Sequence, residues 1–303
     1  MSFAPFETLP SGLLDELTSA GLDPALIYQH VLTALEEDLP DGAPDITTEA
    51  TIAASTRARG DFGARERGVL AGLSIAALTF HVVMGDDVVI HNRLPDGTHV
   101  VPGDVVMSVS GPARGVLIAE RTALNFASHL SGIATATSHW VEALADTRAQ
   151  VLDTRKTLPG WRALEKYAVR CGGGTNHRFS LSDMAMVKDN HIVAAGGIVE
   201  AFEAIRAAYP RVPIEVEVGD LEELKLVLDA GCRRVLLDNM STEMMTEAVA
   251  ITGGRAVLEA SGGLTLKRAR EVAQTGVDFI SVGALTHSVM VFDIGLDLHT
   301  EEA

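Results

Sequence analysis

The hydrophobic pattern changes character along the chain. Leu26, Ile27, Val31 and Leu35 fall at helical spacing, and Pro24 suits the first turn of a helix that runs to about Asp38, with Asp23 as its cap. A shorter helix is expected around Leu13–Thr18, and LPDGAPDITT at Leu39–Thr48 reads as turn chemistry. Residues 51–110 hold short apolar runs at Gly68–Leu73, Asp87–His91 and Val105–Ser110, separated by Gly, Pro and Asp. That punctuation predicts strands of a small mixed sheet, with a helix at Ser74–His81 between the first two. A long helical pattern follows from about Gly115 to Ala145, and Gly132 is placed to split it in two.

From Gln150 onward strands and helices alternate. Val151–Asp153, Met184–Lys188, Ile214–Val218, Arg234–Asp238, Ala256–Ala260 and Phe279–Gly283 predict short, buried parallel strands. Helical patterns at Ile198–Tyr209, Leu221–Ala230, Thr242–Ile251 and Leu266–Thr275 lie between the later ones, and the strand spacing there is roughly 20 residues, the period of βα units. Six such strands predict an α/β fold with a barrel or incomplete (β/α) barrel. Polar residues gather at the strands' C-terminal ends: Asp153 to Lys156, Lys188 to Asn190, Glu215 and Glu217, Asp238-Asn239, Glu259 to Gly263, and Gly283. A barrel builds its active site at that rim.

Composition narrows the class. The 303 residues are 47% hydrophobic with 28 Gly, which suits an α/β enzyme, and the net charge of −17 argues against a nucleic-acid partner. Against that background Arg155, Lys156, Arg162, Lys166, Arg170, Arg178 and Lys188 stand in one stretch with only Glu165 and Asp183 to oppose them. Cations concentrated in a glycine-rich segment of an acidic chain predict a pocket for a small polyanion. Cys171 and Cys232 match no metal spacing and read as reduced structural thiols. MSFAPFETLPSG lacks the features of a signal peptide, and no apolar run reaches membrane-span length, so a cytoplasmic protein with no membrane partner is expected.

Candidate chemistry divides into three groups. Ser261-Gly262-Gly263 and Ser281-Val282-Gly283 end consecutive strands before helices, where backbone N–H groups can approach a phosphate. Tight turns are the plain alternative for either run alone. Glu217, with Glu215 two residues earlier on the same face, and Asp238 on the next strand could bind ribose hydroxyls or hold Mg2+ through waters; a solvated rim fits the pattern equally well. Arg155-Lys156, His177-Arg178 and Lys188 supply arginine forks and lysine point charges for at least two anionic groups. Lys188 or Lys156 could instead be a Schiff-base nucleophile, which so many neighbouring arginines disfavour. Arg162, Lys166 and Arg170 recur at four-residue steps and read as one solvated helix face, and Arg121 alone reads as a surface residue.

The order and spacing of ERTALNFASHLSGIAT, DTRKTLPGWRALEKYAVRCGGGTNHRFSLSDMAMVKDNH, EVEV, LLDNM, EASGG and ISVGALTHS resemble the quinolinate phosphoribosyltransferases over nearly the whole chain. The resemblance implies a smaller N-terminal α/β sandwich domain, residues 1–130, packed on an incomplete (β/α) barrel, residues 131–288, with the chain end 289–303 free to pack back on the former. It implies Mg2+-dependent transfer of phosphoribosyl from phosphoribosyl pyrophosphate to quinolinate with loss of CO2, giving nicotinate mononucleotide for NAD synthesis. It also implies a homodimer, and admits a higher oligomer. On this likeness Arg155, His177, Arg178 and Lys188 surround the quinolinate carboxylates, and Lys156 faces the pyrophosphate or phosphate oxygens. Arg121 reaches in from the partner subunit, and Glu217 and Asp238 bind the ribose and the Mg2+ shell. Ser261, Gly262, Gly263 and Gly283 hold the 5′-phosphate, with His287 beside them. Lys156, Lys188, Glu217 and Asp238 are the expected catalytic set. Pro44 departs from the family pattern, which expects glycine before Asp45, in a loop remote from this chemistry. Three other readings are a phosphoribosyltransferase for nicotinate without decarboxylation, a Schiff-base aldolase using Lys188, and a non-catalytic sugar-phosphate sensor.

Overall fold

The structure, a computed structural model, describes residues 3–300. In chain order its elements are helices α1 (Ser11–Ser19), α2 (Pro24–Asp38) and α3 (Ile46–Thr51), strands β1 (Arg57–Ala64) and β2 (Gly68–Val69), helix α4 (Leu73–Met84), and strands β3 (Val89–His91), β4 (His99–Val100) and β5 (Val105–Pro112). Helix α5 (Ala113–Ala143), strand β6 (Gln150–Leu152), helix α6 (Arg162–Cys171), strand β7 (Ala185–Val187), and helices α7 (Asp189–Ala195) and α8 (Ile198–Ala208) follow. The chain then alternates through β8 (Ile214–Val218), α9 (Leu221–Asp229), β9 (Arg234–Asp238), α10 (Thr242–Thr252), β10 (Val257–Ser261), α11 (Leu266–Gln274), β11 (Phe279–Ser281), the short α12 (Ala284–His287) and β12 (Ile294–Thr300).

Two compact units form. The first holds the described residues up to Ala136, Ala163–Gly172, and the described residues from Val289 on; the second holds Thr137–Arg162 and Gly173–Ser288. The first unit thus gives way to the second within a few residues of the expected boundary at 130, the chain end groups with the first unit, and α6 is the one exception to the expected division. In that unit an antiparallel sheet has the order β12-β1-β5-β3. The alternating burial of β1 sends Ala58, Phe62 and Ala64 to one face, and Phe62 meets Phe80 of α4 edge to face at 5.8 Å. Strand β1 was not legible beforehand, since RARGDFGA carries charge on its open face and glycine in its buried one. Asp23 caps α2 as expected, its side chain accepting from the N–H groups of Ala25 and Leu26. The expected turn at Leu39–Thr48 ends in α3, whose cap is Asp45, accepting from Thr47 and Thr48.

Helix α5 runs unbroken through Gly132. A Cβ there would stand 2.2 Å from the carbonyl oxygen of Met290, so the glycine admits a crossing backbone rather than ending the helix.

The second unit is a six-stranded parallel sheet in the order β6-β11-β10-β9-β8-β7, an open, incomplete (β/α) barrel. Asp220 and Ser241 cap α9 and α10, which holds the returning helices in phase with the strands. Strand alternation turns Glu215 and Glu217 of β8 to one face, and Arg234, Leu236 and Asp238 of β9 likewise. The strands' C-terminal ends collect the candidate chemistry. No helix among the described residues is long and apolar enough to cross a membrane.

Candidate active site

The site begins with one buried acid. Asp153, just past β6, is fully buried; its carboxylate accepts from the His177 backbone N–H at 2.9 Å and from Asn176 Nδ2 at 2.6 Å. A parallel bridge between Leu152 and Thr175 ties the same two segments. The loop after α6 is thereby fixed to the end of β6, and two basic pairs distant in sequence face one cavity of about 280 Å³. Arg155 and Lys156 come from the β6 end, His177 and Arg178 from the loop, Lys188 from the β7 end, and Ser261 and Ser281 from β10 and β11; Thr154, Met186, Leu236 and Glu259 complete the wall.

The cations are held in place rather than spent. The Lys156 N–H donates to Thr154 Oγ1, and its carbonyl accepts from Thr286 Oγ1 at 2.7 Å, which leaves the ammonium unconstrained by these contacts. Arg178 Nη1 donates to the Met184 carbonyl at 2.9 Å. Arg155 Nε is buried with no hydrogen-bond partner. Burial, then the charge of Arg155, lowers the pKa of Arg178 from its ordinary value. Two guanidiniums thus sit close against their own repulsion, with donor capacity left over, an arrangement completed by an anion.

The glycines serve close approach. Gly262 has φ +95°, and a Cβ there would lie 2.2 Å from Asn239 Oδ1 and 2.9 Å from Asn239 N. Gly283 brings its backbone against Lys156 and His287: a Cβ would come within 2.9 Å of Lys156 Cδ and 3.2 Å of His287 Nε2. Gly283, Lys156 and His287 therefore meet at one point of the rim.

On β8, Glu217 pairs with the Lys188 ammonium, and on β9 the Asp238 carboxylate accepts from Asn239 Nδ2 at 2.9 Å. These are hard oxygen donors on adjacent strands, half-buried at the rim, and they suit a divalent cation bound through water.

Beneath the rim lies a group that the sequence pattern alone did not separate from it. Glu215 and Glu259 are both 1% exposed. His177 Nε2 stands 2.9 Å from Glu215 Oε2 and 3.3 Å from Glu259 Oε2. Burial lowers the pKa of the ring, but hydrogen bonds to Glu215 and Glu259 outweigh it and the net shift is upward. The Arg178 N–H donates to Nδ1 at 2.7 Å and pulls the other way, favouring the singly protonated ring. Burial raises the Glu259 carboxyl; at Glu215 burial also acts upward, but the hydrogen bond and charge of His177, together with the charge of Arg234, outweigh it and the net shift is downward. One acid of the pair therefore holds a proton more readily than the other. The three donors lie within 4.8 Å of one another, a spacing a metal ion accepts. Arg234 Nε, 3.6 Å from Glu215 Oε1, already supplies positive charge there, and its guanidinium lies over the Phe279 ring at 5.5 Å.

Arg155, Lys156, His177, Arg178, Lys188 and Ser261 share the cavity, with Glu217 joined through Lys188, and Gly262, Gly263, Gly283, His287 and Asp238 around the rim. Arg121 lies on α5 in the first unit, exposed beside Pro44 and Ile46. The solvated helix face is corrected: Lys166 is fully buried within α6, as is Glu165, which accepts from His129 Nε2 at 3.1 Å. Lys166 and Arg170 are not among the residues that line this cavity. Glu215 is likewise no rim residue. Its signal was an acid at an inward position inside an apolar strand.

An incomplete (β/α) barrel whose rim sets paired guanidiniums and two lysines beside glycine-lined strand ends defines an α/β-barrel protein built to bind anionic ligands. The chain belongs to the quinolinate phosphoribosyl transferase family, whose N-terminal domain matches residues 45–131 and whose C-terminal domain matches residues 133–297. It is 49% identical over 269 residues to the nicotinate-nucleotide pyrophosphorylase (carboxylating) of Mycobacterium leprae, covering 88% of this chain and 94% of that one. It is 41% identical over 278 residues to the chloroplastic enzyme of the same name from Arabidopsis thaliana, covering 86% and 79%. A crystal structure of NadC from Streptococcus pyogenes superposes with a TM-score of 0.88 at 40% identity, covering 93% of this chain and 99% of that one.

Proposed function

We propose that the chain transfers the phosphoribosyl group of phosphoribosyl pyrophosphate to the ring nitrogen of quinolinate and releases CO2, giving nicotinate mononucleotide and pyrophosphate for NAD synthesis. The observation that carries this reading is the crowded pair Arg155 and Arg178, with Arg155 Nε buried and unpartnered. Two carboxylates on neighbouring ring carbons need two such forks, and a single carboxylate needs one. Lys188 and the His177 ring border the same space.

At the anomeric carbon the bond to pyrophosphate breaks as the ring nitrogen attacks. Glu217 and Asp238 face the cation-like sugar, and Lys156 stabilises the departing oxygens. The 5′-phosphate rests on Ser261, Gly262, Gly263 and Gly283, with His287 beside Gly283. The alkylated nitrogen is then positive and stabilises the carbanion left on the adjacent ring carbon when its carboxylate departs as CO2, and that carbon takes a proton from water to give nicotinate mononucleotide. Mg2+, when bound, neutralises phosphate charge; Glu217 and Asp238 would hold it through water. Lys188 has two roles here, neutralising Glu217 in the free chain and turning to a substrate carboxylate when one arrives.

In this reading the enzyme is a cytoplasmic homodimer, and Arg121, exposed on α5, completes the partner's site. The two cysteines are free thiols, as a reducing compartment keeps them.

The test is a turnover assay with quinolinate, phosphoribosyl pyrophosphate and Mg2+, following nicotinate mononucleotide and CO2 together, with nicotinate as the parallel substrate. Equal yields of both products from quinolinate, little from nicotinate, and loss of turnover with a chelator are expected. Turnover of nicotinate without CO2 would overturn the two-carboxylate reading of Arg155 and Arg178 while leaving the phosphate site.

A further inference from the structure

We propose that Glu215 is a positioning residue for the transferase site: it holds His177 Nε2–H from below, with Glu259 packed beside the ring, so that the ring and the Arg178 next to it stand in the cavity wall in one orientation. What the site binds rests on the proposed activity; the contacts do not.

Barrel interiors are filled mainly by branched apolar side chains. Here two acids and an arginine share that interior, and the acids are both 1% exposed. Burying polar groups so deeply is costly unless partners satisfy them. The ring N–H of His177 donates to Glu215 Oε2 at 2.9 Å, while Glu259 Oε2 stands 3.3 Å away with no hydrogen bond of its own. A ring flip would put a carbon in place of that nitrogen and lose both contacts. The flip would also remove Nδ1 from the Arg178 N–H, which donates to it at 2.7 Å. The second oxygen of Glu215 faces Arg234 Nε at 3.6 Å, an ion-pair contact without a hydrogen bond, and Arg234 lies over Phe279. A line of contacts therefore runs from Phe279 in the barrel through Arg234, Glu215 and His177 to the backbone of Arg178, whose guanidinium faces the anion. Orienting partners of this kind, one contact removed from the substrate, govern how well a site is preorganised. The Nε2 proton is present in both the neutral and the cationic ring, so the role does not depend on the ring's charge.

The test uses the full chain, with two readouts. In the first, nitrogen-15 spectra of histidine-labelled protein, assigned with His177→Gln, report which ring nitrogen carries a proton. A protonated, slowly exchanging Nε2 is expected in the wild type and its loss in Glu215→Ala. In the second, Glu215→Ala is expected to raise the KM for quinolinate about tenfold or more while that for phosphoribosyl pyrophosphate stays within about twofold. Glu215→Gln should recover most of the loss, because its amide oxygen accepts the same N–H, and Glu259→Ala should act in the same direction. An equal rise in both KM values, or a Nε2–H signal unchanged in Glu215→Ala, would overturn the proposal. A wild-type ring with no proton on Nε2 would overturn it without any variant. Absence of quinolinate turnover in a wild type that keeps the Nε2–H signal would instead remove the substrate assignment and leave the positioning role standing.

Discussion

Arg155 and Arg178 illustrate how much a single contact decides in this site. Each guanidinium raises the cost of the other until an anion arrives, so the pair is primed for a ligand with two negative groups. Arg155→Ala removes a charged hydrogen-bonding group of the sort that contributes about 1.5–3 kcal/mol, or roughly ten- to a hundredfold in affinity. The loss should fall on the KM for quinolinate and spare that for phosphoribosyl pyrophosphate; steady-state kinetics with each substrate varied in turn checks it, and equal losses would count against the assignment. These cations were legible in the sequence because they interrupt an acidic chain at strand ends. Glu215, Glu259 and Arg234 were not, because they meet across three strands and no local spacing shows it. Lys166 was misread for a related reason. A four-residue step marks one helix face but not whether that face is turned to water, and Lys166 is fully buried.

Elements carry the site by their ends, and their ends were the most legible part of the chain. Strands β8 and β9 fall where expected, β9 through its apolar run Val235, Leu236 and Leu237, and β8 through Ile214, Val216 and Val218 alternating with Glu215 and Glu217. Glycines were harder to read, since one residue type serves turns and close approaches alike. Gly132 is the clearest case. It looked like a helix break, but α5 continues through it and the missing side chain makes room for the Met290 carbonyl. A backbone carbonyl cannot swing away as a long side chain can. Gly132→Ala should therefore cost about 1–3 kcal/mol of stability despite alanine's better helix propensity. A thermal melt would show it as a lowered midpoint; an unchanged or raised midpoint would mean that the Met290 segment yields freely.

For the whole molecule, stability and pH are linked through the same buried pair that orients His177. Burial raises the Glu259 carboxyl pKa above its ordinary 4.5, so the folded chain retains a proton that the unfolded chain releases. The contribution of Glu259 is thus fully present below about pH 4.5 and is withdrawn as pH rises toward the folded value. Glu215 runs in the opposite sense: its pKa is lowered, so its contribution is present above 4.5 and is lost as the solution becomes more acidic than that. Glu259→Gln keeps the shape and an oxygen for His177 but has no proton to release. The variant should gain on the wild type as pH rises, with a midpoint difference more favourable at pH 8 than at pH 5. Melts at those two pH values decide it. A difference independent of pH would show that Glu259 ionises in the folded chain as readily as in the unfolded one, and the His177 N–H would then lie between two full charges.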